Sequence, residues 1–355
     1  MDRSRATTGA GELACFVREC PMTTGPPGTP RSPLADQGTA GVDSRLARST
    51  YRQKDRIGST DLIGVPENSL VGEAQMEPVS TGYADVNGIK LYHEVHGQGE
   101  PLVLIHGGLT TIGEMRGWVR PLARTRRVVA VEMQGHGHTA DTDRPLSFAT
   151  LGDDVAALLE YLEIPGADVV GHSFGGACAI RAAVQHPDRV RRLVVISSPY
   201  ARSGWYPEAR EGMSQVGASI AESMLATPTG KLSKRWPEPR RFAPFLDKLG
   251  KLMGEDYDWS AEIAKLPMPV LLVFADNDSV PQKHVAEFFA LVGGGLKEPG
   301  WLNTQLSTSR LAVVPGYSHY NLIASPEVPR IVGKFLADPL SNPPTGAAAA
   351  SQVAP

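Results

Sequence analysis

Residues 169–179, VVGHSFGGACA, place a serine between glycines where the sequence pattern changes. The residues before it read as the end of a buried strand, and residues 176–184 are small and suited to a closely packed helix. A serine at such a junction lies on a sharp turn, which we expect to be strained and to need neighbours without bulky side chains. The stretch predicts an α/β domain and marks Ser173 as a candidate nucleophile, with a plain turn as the alternative.

The composition of the chain argues against several classes of protein. Its 355 residues are 41% hydrophobic and 21% charged, which is enough apolar material for a sizeable core. The formal net charge of −3 gives no reason to expect nucleic acid or an anionic membrane as a partner. No apolar run reaches the roughly 18 to 20 residues that span a bilayer. The composition therefore predicts neither nucleic acid nor a membrane as a partner, and the sequence predicts no oligomeric state.

The cysteines bear on the cellular compartment. Cys15, Cys20 and Cys178 form neither a disulfide framework nor a zinc-binding pattern. The basic start of the chain is not followed by the apolar segment of a secretory signal. A reducing, cytoplasmic location is therefore expected.

The two ends of the chain differ in composition from its middle. Residues 1–78 contain Pro/Gly/Ser/Thr mixtures such as GPPGTPRSPLADQGTAG, whose burial cannot offset chain entropy. We expect a disordered extension there and a disordered tail at 339–355, which leaves a foldable unit at 79–338. Translation from Met76 is a second interpretation of the extension, and an arm that folds over a cap and gates the pocket is a third.

Strand and helix patterns alternate through the foldable unit. Asn87 and Gly88 between two alternating segments predict a type I′ hairpin. Short apolar runs, such as residues 101–105, are typical of strands buried on both faces, and residues 148–162 carry apolar side chains at helical spacing. The alternation predicts a mostly parallel sheet covered by helices on both faces.

Residues 199–266 break this alternation. They contain no convincing strand pattern but several large aromatic residues, Trp205, Trp236 and Phe245 among them. We interpret the segment as an inserted helical cap, because an insertion at the carboxyl ends of parallel strands is placed to cover a pocket. A long surface loop is the alternative.

The motif at residues 171–175, GHSFG, matches the G-x-S-x-G pattern of a nucleophile elbow. A serine hydroxyl is a weak nucleophile until a base takes its proton. His319 is the candidate base, because it follows the last predicted strand and lies late enough for the chain order serine, acid, histidine. The loop after the penultimate strand offers two acids, and we prefer Asp278 to Asp276 because it lies further from the strand end.

An oxyanion hole needs two backbone N–H groups. One is expected from Phe174, directly after the candidate nucleophile. The other is expected from HGGL at 106–109, with Gly108 preferred and Leu109 as the alternative. The residues predicted to contact the substrate are Leu109, His172 and Trp205.

Residues 135–139, GHGHT, are a candidate metal site. His136 and His138 resemble half of an H-x-H site, but the sequence offers no further ligand at the spacing of a binuclear zinc motif. No metal is predicted.

Five motifs together resemble those of the α/β-hydrolase superfamily over about residues 82–337. They are HGG at 106–108, GHGHT at 135–139, GHSFGG at 171–176, ADND at 275–278 and PGYSHY at 315–320. The resemblance implies an eight-stranded, mostly parallel sheet with a helical cap after the sixth strand. It also implies a cofactor-free triad of Ser173, Asp278 and His319.

The chain departs from the superfamily pattern in several places. Relatives often have Asp and Arg where this chain has Glu132 and Gln134, and Ala275 replaces a frequent glycine. An insertion, LVGGGLKEPGWLNTQ at 291–305, together with DYDW at 256–259, is similar to a subgroup of bacterial esterases that includes macrolide-lactone hydrolases.

A serine at the elbow favours acyl transfer to water, whereas an aspartate there would indicate dehalogenase or epoxide hydrolase chemistry. We therefore predict hydrolysis of a carboxylic ester or lactone through an acyl-enzyme on Ser173. Two alternatives remain: carbon–carbon bond hydrolysis of a vinylogous ketone by the same triad, and a ligand-binding receptor on the same fold.

Overall fold

The computed structural model describes residues 77–339. The predicted disordered extension and tail lie outside these residues, apart from two residues of the first and one of the second. The strands are β1 (Ser80–Val86), β2 (Ile89–His96), β3 (Glu100–Ile105), β4 (Arg126–Val131), β5 (Ala167–His172), β6 (Val190–Ile196), β7 (Val270–Asn277) and β8 (Arg310–Ser318). The helices are α1 (Arg116–Ala123), α2 (Phe148–Tyr161), α3 (Phe174–Gln185), α4 (Pro207–Ser214), α5 (Ala221–Met224), α6 (Pro228–Ser233), α7 (Phe242–Gly254), α8 (Ser260–Ile263), α9 (Gln282–Leu291) and α10 (Glu327–Ala337). Within 77–339, no helix combines the length and the apolar character needed to cross a membrane.

The eight strands form one sheet in the order β1-β2-β4-β3-β5-β6-β7-β8. Strand β2 is antiparallel to both of its neighbours, and every other pair is parallel. The predicted eight-stranded, mostly parallel sheet is confirmed. The hairpin between β1 and β2 turns at Asn87 and Gly88, which have φ angles of 48° and 78°, as a type I′ turn requires.

Helices cover both faces of the sheet, which explains why its central strands are apolar throughout. One core contains residues of α2, α3 and α9, and the other contains residues of α1 and α10. Neighbouring residues of β5 point to opposite cores, Val169 to the first and Val170 to the second. The six adjacent strands from β4 to β8 in the sheet order run parallel, so their carboxyl ends meet at one edge of the sheet. That edge holds the motifs that the sequence analysis singled out.

The segment between β6 and β7 is helical. Residues 199–266, hereafter the inserted segment, contain α4 to α8, and their only β pairing with residues of the described range 77–339 is an isolated bridge between Ala201 and Asp258. The buried aromatic side chains of this segment include Trp205, Trp236, Phe242, Phe245 and Trp259. A surface loop would leave such side chains exposed, so the segment packs as part of the domain.

Candidate active site

Ser173 lies on the predicted strand-to-helix turn, between the last residue of β5 and the first residue of α3. Its φ of 52° and ψ of −117° are uncommon for a residue with a side chain, and its N–H donates to the Ile196 carbonyl at 2.8 Å. A Cβ on Gly171 would come within 2.0 Å of the Gly175 carbonyl oxygen, and one on Gly175 within 2.4 Å of the His106 carbonyl oxygen. The glycines of the motif therefore permit the close packing that holds the strained turn.

Three side chains from distant parts of the sequence meet at this turn. Ser173 Oγ lies 3.0 Å from His319 Nε2, and His319 Nδ1 lies 3.0 Å from Asp278 Oδ1. A carboxylate can only accept, so Nδ1 is the donor to Asp278 and Nε2 is left to accept from the serine hydroxyl. The structure thus places Ser173 against one ring nitrogen of His319 and Asp278 against the other. This is the arrangement of a nucleophile, its base and a carboxylate that orients the base.

The Asp278 carboxylate is buried and has further hydrogen bonds. Its Oδ2 accepts from the Ser197 hydroxyl at 2.5 Å and from the Ala275 N–H at 3.0 Å. Burial alone would raise the pKa of Asp278, but the hydrogen bonds from His319, Ser197 and Ala275 outweigh it and lower that pKa. The group is therefore ionised at neutral pH. Sequence reasoning missed Ser197, which directly follows the last residue of β6.

Asp276, the alternative acid, has a different environment. It is exposed and accepts from the Gly316 N–H at 2.9 Å and from the Asn277 side-chain amide at 2.9 Å. The Gly316 hydrogen bond lowers its pKa. Asp276 ties the end of β7 to β8, whereas Asp278 contacts His319.

The two backbone groups predicted for the oxyanion hole lie next to each other. Phe174 is the first residue of α3, so its N–H has no acceptor within the helix. A Cβ on Gly108 would lie 3.4 Å from the Phe174 Cβ, and no hydrogen bond among residues 77–339 uses the Gly108 N–H. The Leu109 N–H instead donates to His136 Nε2 at 3.1 Å. Of the two alternatives, Gly108 is therefore the one with a free donor.

Two buried histidines support the loops around this donor. His106 donates from Nδ1 to the Gly107 carbonyl at 2.7 Å and accepts the Met133 N–H on Nε2 at 3.1 Å. His136 donates from Nδ1 to the Gln134 carbonyl at 3.1 Å. Burial lowers the pKa of both histidines, which keeps them neutral. Since both nitrogens of His136 bond to the backbone, this histidine is not free to bind a metal in this arrangement.

The residues predicted to contact substrate have unequal positions. The Trp205 ring meets the His319 ring edge-on, with centroids 5.3 Å apart, and Leu109 is half-buried beside the candidate oxyanion donor. His172, however, is buried between Trp118 and His319, with ring centroids 5.6 and 5.8 Å away. Both of its ring nitrogens are buried and lack a hydrogen-bond partner within the described residues. The prediction that His172 contacts substrate is therefore not supported, because its ring is enclosed behind the base.

The buried neutral histidines are expected to make the stability of the protein depend on pH. Burial lowers the pKa of His172 to about 3, and it also lowers that of His106 and His136. Unfolding restores an ordinary histidine pKa near 6.5, so below about pH 6.5 the unfolded chain binds more protons than the folded one. The free energy of unfolding should then fall as the pH falls, by up to about 1.4 kcal/mol per pH unit for each histidine.

Urea denaturation at several pH values between 7 and 5 measures this dependence. In the His172→Leu variant, the free energy of unfolding should depend less steeply on pH, and the difference in slope should be about the contribution of one histidine. A variant with the wild-type slope would show that His172 is already protonated, or solvated, in the folded protein.

The departures from the superfamily pattern have local structural explanations. Glu132 is buried, and its carboxylate accepts from the His138 N–H at 2.6 Å and from the Ile112 N–H at 3.3 Å. Gln134 accepts from Arg144, which also pairs with Asp154 at 2.6 Å. Residues 132 and 134 therefore brace the loop after β4 rather than supply reactive groups.

The inserted segment is fastened to the carboxyl edge of the sheet. Thr229 Oγ1 donates to the Leu109 carbonyl at 2.9 Å, and Trp236 Nε1 donates to the Gly137 carbonyl at 2.8 Å. Lys248 pairs with Asp141 at 2.9 Å. These bonds seat the segment directly on the loops after β3 and β4.

Aromatic rings connect the inserted segment with the turn at Ser173. The rings of Tyr257 and Trp259 stack with centroids 4.2 Å apart, and Phe148 at the start of α2 lies edge-on to both. Phe148 also lies 5.7 Å from the ring of Phe174. A depression of about 280 Å³ opens beside Phe148, Tyr257 and Trp259. The surroundings of the turn are thus aromatic on this side.

The chain is similar to known hydrolases over parts of its length. A family model described as the alpha/beta hydrolase fold matches residues 100–233. The chain is 40% identical over 115 residues to a 2-hydroxymuconate semialdehyde hydrolase of Pseudomonas sp. strain CF600; these are 31% of this chain and 41% of that protein. The match therefore spans about two fifths of that relative.

The chain is also similar to an esterase, over a longer stretch of sequence. A pimeloyl-acyl-carrier-protein methyl ester esterase of Nitrosomonas europaea is 25% identical over 261 residues, which cover 67% of this chain and 95% of that protein. The solved structure of a carboxylesterase from Bacillus subtilis has a TM-score of 0.55 and 21% identity, and covers 73% of this chain and 91% of that chain. At that identity, the structural likeness establishes the fold.

Proposed function

We propose that this chain, which has the α/β-hydrolase fold, is a serine hydrolase of that superfamily and hydrolyses a carboxylic ester or lactone through an acyl-enzyme formed on Ser173. The observation that carries the proposal is the hydrogen-bond chain from Ser173 through His319 to Asp278, beside the N–H groups of Gly108 and Phe174. The substrate is a small molecule, and the aromatic surroundings of the turn favour one that is partly apolar.

The reaction begins when His319 Nε2 accepts the proton of the Ser173 hydroxyl. Ser173 Oγ attacks the substrate carbonyl carbon, and the oxygen of the tetrahedral intermediate accepts from the Gly108 and Phe174 N–H groups. The Asp278 carboxylate stabilises the imidazolium and holds its Nδ1–H. His319 then donates its Nε2 proton to the leaving alkoxide, and the C–O bond breaks to give the acyl-enzyme and an alcohol.

The second half of the reaction repeats these roles with water. His319 Nε2 takes a proton from water, and the hydroxide attacks the acyl carbon. Collapse of the second intermediate breaks the bond to Ser173 Oγ, which recovers its proton from His319. The product is a carboxylic acid. We interpret the inserted segment as the cap over this site, because its Trp205 ring lies against His319 and its Thr229 bonds to the loop of Gly108.

Carbon–carbon bond hydrolysis is the second candidate. The same triad serves it, and the match to a 2-hydroxymuconate semialdehyde hydrolase is the observation that favours it. Ester hydrolysis is preferred because the match to a methyl ester esterase covers twice as much of this chain, 67% against 31%.

A substrate panel separates the two reactions. It pairs p-nitrophenyl esters of graded acyl length and simple lactones with a vinylogous diketone, assayed with the same enzyme preparation. We expect turnover of esters or lactones, and a kcat/KM for the diketone at least about tenfold lower. Preferential cleavage of the diketone would establish carbon–carbon bond hydrolysis instead, and binding without turnover of any compound would support the receptor interpretation.

We propose a cytoplasmic location. Cys178 is a buried free thiol whose pKa is raised by burial, which is consistent with an unreactive cysteine in a reducing compartment.

A further inference from the structure

The four-residue turn at 107–110, which carries the Gly108 N–H, has a strained third residue. The Thr110 N–H donates back to the Gly107 carbonyl at 3.3 Å and closes the turn. Leu109 occupies the third position with a φ of 59°, in the left-handed region that favours glycine. A leucine there needs external contacts to keep the turn in this form.

The direction of the Gly108 N–H depends on the same turn. The Gly107 carbonyl also accepts from Thr110 Oγ1 at 2.8 Å and from His106 Nδ1 at 2.7 Å. In a trans peptide the C=O and the following N–H point in opposite directions. Fixing the Gly107 carbonyl therefore fixes where the Gly108 N–H points, away from these donors.

Leu109 itself is held on both sides of its Cα. Its N–H donates to the fully buried His136, and its carbonyl accepts from the hydroxyl of Thr229 at 2.9 Å. Thr229 is also fully buried, and it lies in α6 of the inserted segment, 120 residues further along the chain. One of the two contacts that hold the strained residue thus comes from the inserted segment.

We propose that Thr229 is a positioning residue of the hydrolase: its hydrogen bond to the Leu109 carbonyl holds the 107–110 turn in the form that aims the Gly108 N–H at the oxyanion. The inference rests on the proposed function. Without this bond Leu109 can relax toward the right-handed conformation, and the neighbouring peptide planes rotate with it. The cost falls on the transition state, where the charge on the oxygen develops, rather than on substrate binding.

The test compares Thr229→Val, which removes the hydroxyl, with Thr229→Ser, which keeps it. Hydrolysis of p-nitrophenyl butyrate gives kcat and KM. Removing a complete oxyanion donor costs about 10² to 10³ in kcat, so misplacing one is expected to cost about 10- to 100-fold in Thr229→Val, with KM changed by less than about threefold. Thr229→Ser should recover most of the wild-type kcat.

Affinity for a trifluoromethyl ketone supplies a second measurement. The compound forms a tetrahedral adduct with the serine and places an oxyanion in the hole. Its affinity should fall in Thr229→Val by about the same factor as kcat/KM. A loss of kcat with unchanged inhibitor affinity would overturn the inference.

Thr227→Val is the matched control. Thr227 caps the same helix by accepting the Gly230 N–H at 3.2 Å, and it has no bond to Leu109. This variant should lower the melting temperature but keep kcat within about twofold of wild type. Equal losses of kcat in both variants, or wild-type kcat in Thr229→Val, would overturn the positioning role of Thr229 and leave the proposed function intact. A wild-type protein inert toward esters and toward a fluorophosphonate would overturn the proposed function, and this inference with it.

Discussion

Ser173→Ala is expected to remove nearly all ester hydrolysis, with a loss of about 10⁶ in kcat if the triad acts as a unit. The reason is the geometry at the turn: the hydroxyl oxygen 3.0 Å from His319 Nε2 is the atom proposed to form the acyl-enzyme. Steady-state kinetics on the best ester of the panel measures the effect. A fluorophosphonate should label wild-type Ser173 and leave the variant unmodified, as peptide mapping can show.

Ser198→Ala is a suitable control for this substitution. Ser198 is also buried near the turn, and its hydroxyl has no hydrogen-bond partner within the described residues. We expect its activity to stay within about twofold of wild type, because no step of the mechanism uses that hydroxyl. Activity of Ser173→Ala within about tenfold of wild type would refute an acyl-enzyme on this residue.

Asp278→Asn is expected to lower kcat by about 10⁴, on the precedent of other serine triads. The neighbours of the carboxylate explain why an isosteric change is so costly. Ser197 and the Ala275 N–H both donate to Oδ2, so the asparagine oxygen must occupy that position and its NH₂ group must face His319. His319 Nδ1 then has to accept, the proton moves to Nε2, and the base can no longer take the proton of Ser173.

Asp276→Asn separates the role of the acid from a general effect on the loop. The Asp276 side chain is exposed, and an asparagine can still accept the Gly316 N–H. The kcat of this variant should stay within about threefold of wild type. If Asp276→Asn were the crippled variant and Asp278→Asn were active, the proposed triad would be wrong.

The sequence by itself determined the sheet and the position of Ser173. Both depend on local information, namely apolar runs of strand length, helical spacing, and glycines where a Cβ would collide with backbone. The chain order of a serine followed by a late histidine likewise led to His319, which the structure brings to 3.0 Å from Ser173. The helical nature of the inserted segment could also be predicted, from its lack of strand pattern and its aromatic residues.

Only the tertiary structure distinguished side chains that are close in sequence but differ in surroundings. Asp276 and Asp278 are two residues apart, yet one is exposed beside Gly316 and the other is buried against His319. His172 is next to Ser173, and its ring is nevertheless enclosed behind the base, where the sequence analysis had expected contact with substrate. Composition and spacing carry no information on which way such side chains point, because that direction is set by the packing of neighbouring strands.

The contacts of Ser197 and Thr229 lay beyond sequence reasoning for the same physical reason. Ser197 meets Asp278 across 81 residues, and Thr229 meets Leu109 across 120. An isolated serine or threonine has no pattern that marks it, since its role exists only when a buried acceptor elsewhere in the chain needs its hydroxyl. The sequence therefore specified the strand-to-helix turn and its candidate nucleophile, whereas folding decided which hydroxyls and carboxylates hold the proposed acid, base and oxyanion donor in place.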